Sequence, residues 1–328
     1  MRNGCWWWLV LAIAALDGCN RPSSSSSLES YPSKNITIIC PWSAGGGTDR
    51  VSRYWAGALE KQLGRPCVVV NKTGGSGAVG HTSGANARAD GHTITTITFE
   101  LCTMHRLGIT PLTFNDYECL LQMNADAAAI IVRDDAPWKS LTDLLEFAKE
   151  NPSTLKMSGT ATGGAWDLAR AGLQQAAGIP VGAVIWVPKG GAAPSLVELL
   201  GGHIDAVCCS VPEVATQFES GQVRVLAVMS EERIAEYPEL PTAREQGVDW
   251  VAVGWRGLAL PKGTPPQIVT KLEQTCLAIA ESDEFKEFMD KNRFGITIRG
   301  SGEFTDFLQA QDEQWKSVVE AMIDESGQ

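Results

Sequence analysis

Beginning at Ile36, a β-branched run breaks into glycines and resumes as a helix. Ile36, Thr37, Ile38 and Ile39 read as a strand, and Pro41, Trp42, Ser43, Ala44, Gly45, Gly46 and Gly47 read as a loop that runs into Thr48 and Asp49. The apolar positions Val51, Trp55, Ala58, Leu59 and Leu63 then recur at helical spacing until Gly64 and Pro66 stop the helix. The glycines therefore lie at a helix N-terminus, where the first N–H groups have no intrahelical partner and the macrodipole is positive. A loop without side chains lets an anion approach those amides, so this stretch is a candidate anion site. It is not a P-loop, which needs a lysine after the last glycine, and it lacks the G-x-G-x-x-G spacing of dinucleotide folds.

The same grammar continues along the chain. Residues 67–70 form a second strand, followed by a glycine loop at 71–77, and residues 93–99 form a third strand rich in threonine and isoleucine. Strand–helix–strand alternation implies a parallel sheet, whose ligands bind beyond the carboxyl ends of the strands, where Thr98, Phe99 and Glu100 would meet the first loop. Residues 127–132 read as another strand and 141–149 as a helix. Ser158, Gly159, Thr160, Gly163 and Gly164 then repeat the opening theme before a helix expected from about Asp167. Two such loops in one chain point to two jaws on one anion. Further strands are expected at 184–187, 204–210 and 223–229, an apolar stretch at 251–260, a helix capped by Ser195, and amphipathic helices at 268–280 and 304–322.

Composition narrows the partners. The net charge of −11 on 328 residues excludes nucleic acid or an anionic membrane surface as a partner and requires a local site for any anion. Residues 6–16 are apolar but too short to span a bilayer, so they read as a secretory segment. Leu16-Asp17-Gly18-Cys19 resembles a bacterial lipoprotein signal, which would make Cys19 a lipid anchor and residues 23–27, all serine, a tether. The nine cysteines show no C-x-x-C pair and histidines number four, so a metal centre is not expected and buried free thiols are.

The succession of motifs carries a family resemblance. Pro41-Trp42-Ser43-Ala44-Gly45-Gly46-Gly47-Thr48-Asp49, Asn71 with its glycine loop, Asp90-Gly91-His92-Thr93, Val187-Pro188 with Lys189-Gly190-Gly191, Leu199-Leu200-Gly201-Gly202-His203-Ile204-Asp205, Leu240-Pro241-Thr242-Ala243, Trp255-Arg256-Gly257 and Ala259-Leu260-Pro261-Lys262-Gly263 occur in order. Together they resemble the Bug-type substrate receptors of tripartite tricarboxylate transporters. The resemblance implies an α/β fold of two domains, a Venus flytrap of the type II periplasmic binding protein class. Domain 1 would comprise residues 36–132 with 255–328, domain 2 would be residues 133–254, and residues 1–35 would be leader and tether. It also implies a monomeric receptor without cofactor that clamps a carboxylate through backbone amides and waters and docks on a two-component membrane permease.

Beside that resemblance, three charged positions merit attention. Lys189 and Arg256 are cations on loops expected to face the cleft, and are candidates for a second acidic group of the ligand. Glu213 at a helix start is a candidate for an ammonium or hydroxyl group. Two other classes stay open: a sensor that keeps the fold but feeds a signalling protein, and a hydrolase with Ser158 or Ser210 as nucleophile. The second lacks support, since neither serine has a G-x-S-x-G elbow and His81, His92, His105 and His203 have no evident acid partner.

Overall fold

The computed structural model of the protein describes residues 31–326, so the secretory segment, Cys19 and the serine tether lie outside the described residues. In chain order the elements are β1 (Ile36–Cys40), α1 (Gly47–Leu63), β2 (Cys67–Asn71), α2 (Ala78–Ala85), β3 (Thr93–Thr98), β4 (Tyr117–Arg133), α3 (Leu141–Glu150), β5 (Lys156–Ser158) and α4 (Ala165–Ala176). They continue with β6 (Ile185–Trp186), α5 (Ala192–Leu200), β7 (Ala206–Ser210), α6 (Val211–Glu219), β8 (Val223–Val228), β9 (Val253–Pro261), α7 (Pro266–Glu281), α8 (Asp283–Lys291), β10 (Ile296–Gly300), α9 (Ser301–Gln314) and α10 (Lys316–Ser326). The described residues from 32 to 326 form one compact unit.

The sheet has two halves that share β4. In the first, β2 and β3 pair in parallel with β1, placing Val69 and Ile94 on either side of Ile38. β9 joins β3 to the first part of β4, antiparallel to both, and β10 borders the far side of β4. At Ala128 the strand changes neighbours. From there to Arg133 it pairs antiparallel with β7 on one side and β8 on the other, and β7 carries β5 and β6 in parallel order. Ile38, Ile94, Ile130 and Ile131 have no exposed surface, which is the double-faced burial expected where helices cover both sides of a sheet.

The expected elements are present, with instructive differences. The strand read at 127–132 begins ten positions earlier, at Tyr117 in a 17-residue strand, because Gln122, Asn124 and Asp126 interrupt the apolar pattern while being buried. The helix expected from Ser195 starts at Ala192, with Pro194 in its first turn, where a missing N–H costs nothing. Ser195 is therefore no cap, and its hydroxyl donates to the Gly191 carbonyl at 3.0 Å. The helical stretch at 304–322 is two helices that meet at Trp315, whose ring packs edge-on against Phe99 and Trp250. The seven described cysteines are buried free thiols, as expected, and burial pushes the Cys67 thiol up to about 12.

Candidate functional site

The opening loop turns at Gly45, whose φ of +83° lies in the left-handed region, and delivers Gly46 as the N-cap of α1. The Gly45 N–H donates to Asp49 Oδ2 at 2.9 Å, and Asn71 Nδ2 and Arg53 Nε complete the carboxylate's partners. Burial pushes the Asp49 carboxyl up, but Arg53 and the Gly45 and Asn71 donors outweigh it and hold it below its ordinary value. Asp49 thus clips the loop, and the residues that open α1, Gly46, Gly47 and Thr48, line a cavity together with Trp42 and Ser43. The space between these residues not filled by atoms is about 490 Å³, open solvent included.

A hydrogen-bonded chain builds the floor. Trp42 Nε1 donates to Thr98 Oγ1 at 3.2 Å, and Thr98 Oγ1 donates to Glu100 Oε2 at 2.5 Å. The other carboxylate oxygen of Glu100 accepts the Ala165 N–H at 2.8 Å, at the start of α4. Glu100 is 2% exposed, and its burial pushes the carboxyl above its ordinary value against the pull of Thr98 and Ala165. Beneath Thr98, the backbone N–H of that residue donates to His81 Nε2 at 3.2 Å, so Nδ1 carries the proton and donates to the Gly77 carbonyl at 2.9 Å. Full burial lowers the His81 pKa to about 4.

The second half of the sheet supplies the opposite wall. Gly163 N–H donates to Asp167 Oδ2 at 2.9 Å, the same four-residue clip that Gly45 and Asp49 make. The N-terminus of α4 already holds the Glu100 carboxylate, whereas that of α5 lines the cavity through Gly191, Ala192 and Ala193. Thr160, Trp166 and Gly190 complete this wall. Ser43, through both N–H and Oγ, donates to the Gly190 carbonyl at 3.4 and 2.9 Å, and Ser76 Oγ donates to the Thr162 carbonyl, so loops of the two halves meet across the cleft.

Arg256 and Glu213 come from opposite halves. The guanidinium donates through Nε to Thr48 Oγ1 at 3.0 Å and through Nη1 to Asp126 Oδ2 at 2.8 Å and to Asn124 Oδ1. Glu213 closes a capping box at α6, with Oε2 accepting from Ser210 N and Oγ at 3.3 and 3.2 Å. Its Oε1 stands 3.7 Å from Arg256 Nη2.

Of the residues singled out in the sequence, Trp42, Ser43, Gly46, Gly47, Thr48, Thr98, Phe99, Thr160, Gly190, Glu213 and Arg256 line this cavity. Ala44, Gly45, Asp49, Ser158, Gly159, Gly163 and Gly164 do not line it. Lys189 is turned away: its amine is 2.6 Å from Glu198 Oε1, and it borders a separate outer cavity. Ser158 Oγ donates to the Val187 carbonyl at 2.6 Å and lies 2.8 Å from Ser195 Oγ, with no base beside it. Glu100, expected at the strand end that meets the first loop, had no role assigned from the sequence, and neither had Asp167. Asp167 carried a signal, since an aspartate follows the first glycine of each run by four positions in both loops.

A family model described as "Tripartite tricarboxylate transporter family receptor" matches residues 51–323. The chain belongs to this family. A protein of Agrobacterium vitis, known by its position in the TAR-I ttuE–ttuC′ intergenic region, is 31% identical to the receptor over 256 residues, 77% of this chain and 73% of that one. A TctC solute-binding protein from Polaromonas, solved without ligand, is 34% identical with a TM-score of 0.66, covering 88% of this chain and 99% of that one. An R. palustris protein solved with adipate is 26% identical with a TM-score of 0.82, covering 89% and 98%. Solved neighbours include periplasmic binding proteins of the two-domain fold, so the expected fold class holds. The receptor is a solute-binding protein and not an enzyme, which removes the hydrolase reading of Ser158 and Ser210. Among the described residues no helix is long and apolar enough to cross a membrane.

Proposed function

We propose that the receptor clamps a small carboxylate between the N-termini of α1 and α5 and delivers it to a two-component membrane permease. One observation carries this reading: helix starts from both halves of the sheet, Gly46 to Thr48 and Gly191 to Ala193, face one cavity. A carboxylate there meets amides whose hydrogen bonds to a charged group contribute about 1.5–3 kcal/mol each. Association costs several kcal/mol, so a handful of such contacts gives affinity on the order of micromolar. Adipate in the R. palustris relative supports the ligand class.

Residues 36–132 with 255–328 would form one lobe and residues 133–254 the other, hinged where β4 and β9 pass between the halves. Amide contacts from both lobes exist only when the cleft is shut, so binding shifts the open–closed equilibrium and lets a permease tell loaded from empty receptor. We place the receptor outside the cytoplasmic membrane as a monomer tethered through Cys19, which palmitate labelling of the full chain and of Cys19→Ala tests.

The site itself is tested at Gly46. Its backbone (φ −75°, ψ 171°) suits any residue, and an added Cβ meets only Ser43 O at 3.4 Å, so Gly46→Leu is expected to fold while its side chain fills the amide site. Calorimetric titration with the best-bound acid should show affinity lost by about a hundredfold or more, as expected when several charge-assisted bonds go. Unchanged affinity contradicts the clamp.

A further inference from the structure

Arg256 and Glu213 are each almost fully committed, yet each keeps one polar atom turned towards the other. On Arg256, Nε and Nη1 are taken by Thr48, Asn124 and Asp126, while Nη2 makes no hydrogen bond among the described residues. On Glu213, Oε2 is taken by Ser210, while the nearest cation to Oε1 is Nη2 at 3.7 Å, beyond hydrogen-bond length. The two side chains are only 5% and 7% exposed, so the unmade bonds are not simply handed to bulk water. The pair also lies beside the amides of α1: a Cβ placed on Gly47 would come within 2.7 Å of Nη2 and 3.0 Å of Oε1.

Charge decides what such a pair accepts. Asp126 at 2.8 Å already meets the arginine's charge, and the Glu213 carboxylate, held by the two Ser210 donors, keeps Oε1 beside the guanidinium. A second carboxylate on the ligand would lie against Glu213 in a water-poor site, and an ammonium would lie against Arg256. A group that accepts from Nη2 and donates to Oε1 without carrying charge satisfies both atoms. We infer that Arg256 Nη2 and Glu213 Oε1 form a specificity subsite for a neutral donor–acceptor group, a hydroxyl or a carboxamide. The receptor then takes hydroxy- or amido-carboxylates in preference to dicarboxylates. This rests on the carboxylate clamp proposed above and reverses the sequence expectation that Arg256 receives a second acid.

The test is a calorimetric titration of the full receptor with matched acids of four and six carbons that end in a hydroxyl, a carboxamide, a carboxylate, an ammonium or a methyl group. The hydroxyl or carboxamide acid should bind about tenfold or more tighter than the dicarboxylate, ammonium and methyl acids of equal length, since a site built to pair two polar atoms rejects ligands that leave them unpaired. Glu213→Gln keeps an acceptor for Ser210 but removes the charge, and should cut the discrimination against the dicarboxylate to about threefold or less. A dicarboxylate that matches the carboxamide in the wild type, an ammonium acid that binds tighter than both, or an unchanged ratio in Glu213→Gln overturns the subsite while leaving the clamp. If Glu213→Gln fails to fold, the wild-type ranking alone decides. Absence of binding by every acid overturns the clamp, and the subsite with it.

Discussion

At the scale of single residues, close approach of backbones accounts for positions that a sequence pattern marks only as small. A Cβ on Gly159 would lie 2.1 Å from the Cys208 carbonyl oxygen and 2.9 Å from Trp166 Cβ, where the oxygen belongs to β7 and has nowhere to go. Gly159→Ala should therefore destabilise the receptor by about 3 kcal/mol, the upper end of overpacking costs, as read from the midpoint of urea unfolding. His81 gives a prediction in pH. Its folded pKa of about 4 is below the ordinary 6.5, so protons favour the unfolded chain. Stability from this residue is full above about pH 6.5 and is lost as pH falls through about 4, a change of about 3 kcal/mol. His81→Gln, which can still donate to Gly77 and accept from Thr98, should flatten that part of the stability profile; an unchanged slope would show that other groups cause it.

The two glycine clips make the case for elements. Asp49 and Asp167 each fold back on a glycine N–H four residues earlier, but their cationic partners differ in environment. Arg53 is 53% exposed and returns to water when Asp49 is lost, whereas Arg170, at 4%, is packed over the Trp186 ring and is left as a buried charge when Asp167 is lost. Asp167→Ala should cost about 3–5 kcal/mol and Asp49→Ala about 1–2 kcal/mol by urea unfolding, so equal costs would contradict the assignment. This scale also shows what was legible in the sequence. The start of α1 was readable because its glycines interrupt an apolar strand. The start of α5 was not, because Ser195 mimics a cap and Pro194 reads as loop although it fits the first turn. The first part of β4 was hidden by Gln122, Asn124 and Asp126, polar residues whose burial makes sense only once Arg256 arrives from β9 to meet Asn124 and Asp126, and Arg299 from β10 to meet Gln122.

For the whole molecule, order of motifs was sufficient to read the fold and the family, because each strand–loop–helix unit is local. The composition of the cleft was less legible because it joins residues far apart in the chain. Glu100 reaches α4 through Ala165, Ser43 reaches Gly190, and Ser76 reaches Thr162. If these contacts hold the closed form, Glu100→Ala should give the ligand-free receptor a larger radius of gyration by small-angle scattering, returning to the wild-type value when saturated with ligand. A radius identical to wild type without ligand would place closure elsewhere. The central claim, a carboxylate clamp, is tested most directly by thermal shift of the receptor against mono-, di- and tricarboxylates, hydroxy and amido acids, and their methyl esters. Saturation at about a hundredfold over Kd stabilises by about 2.7 kcal/mol, so one group of acids should raise Tm by several degrees and its esters should not. Esters that shift Tm as much as the free acids would contradict the claim.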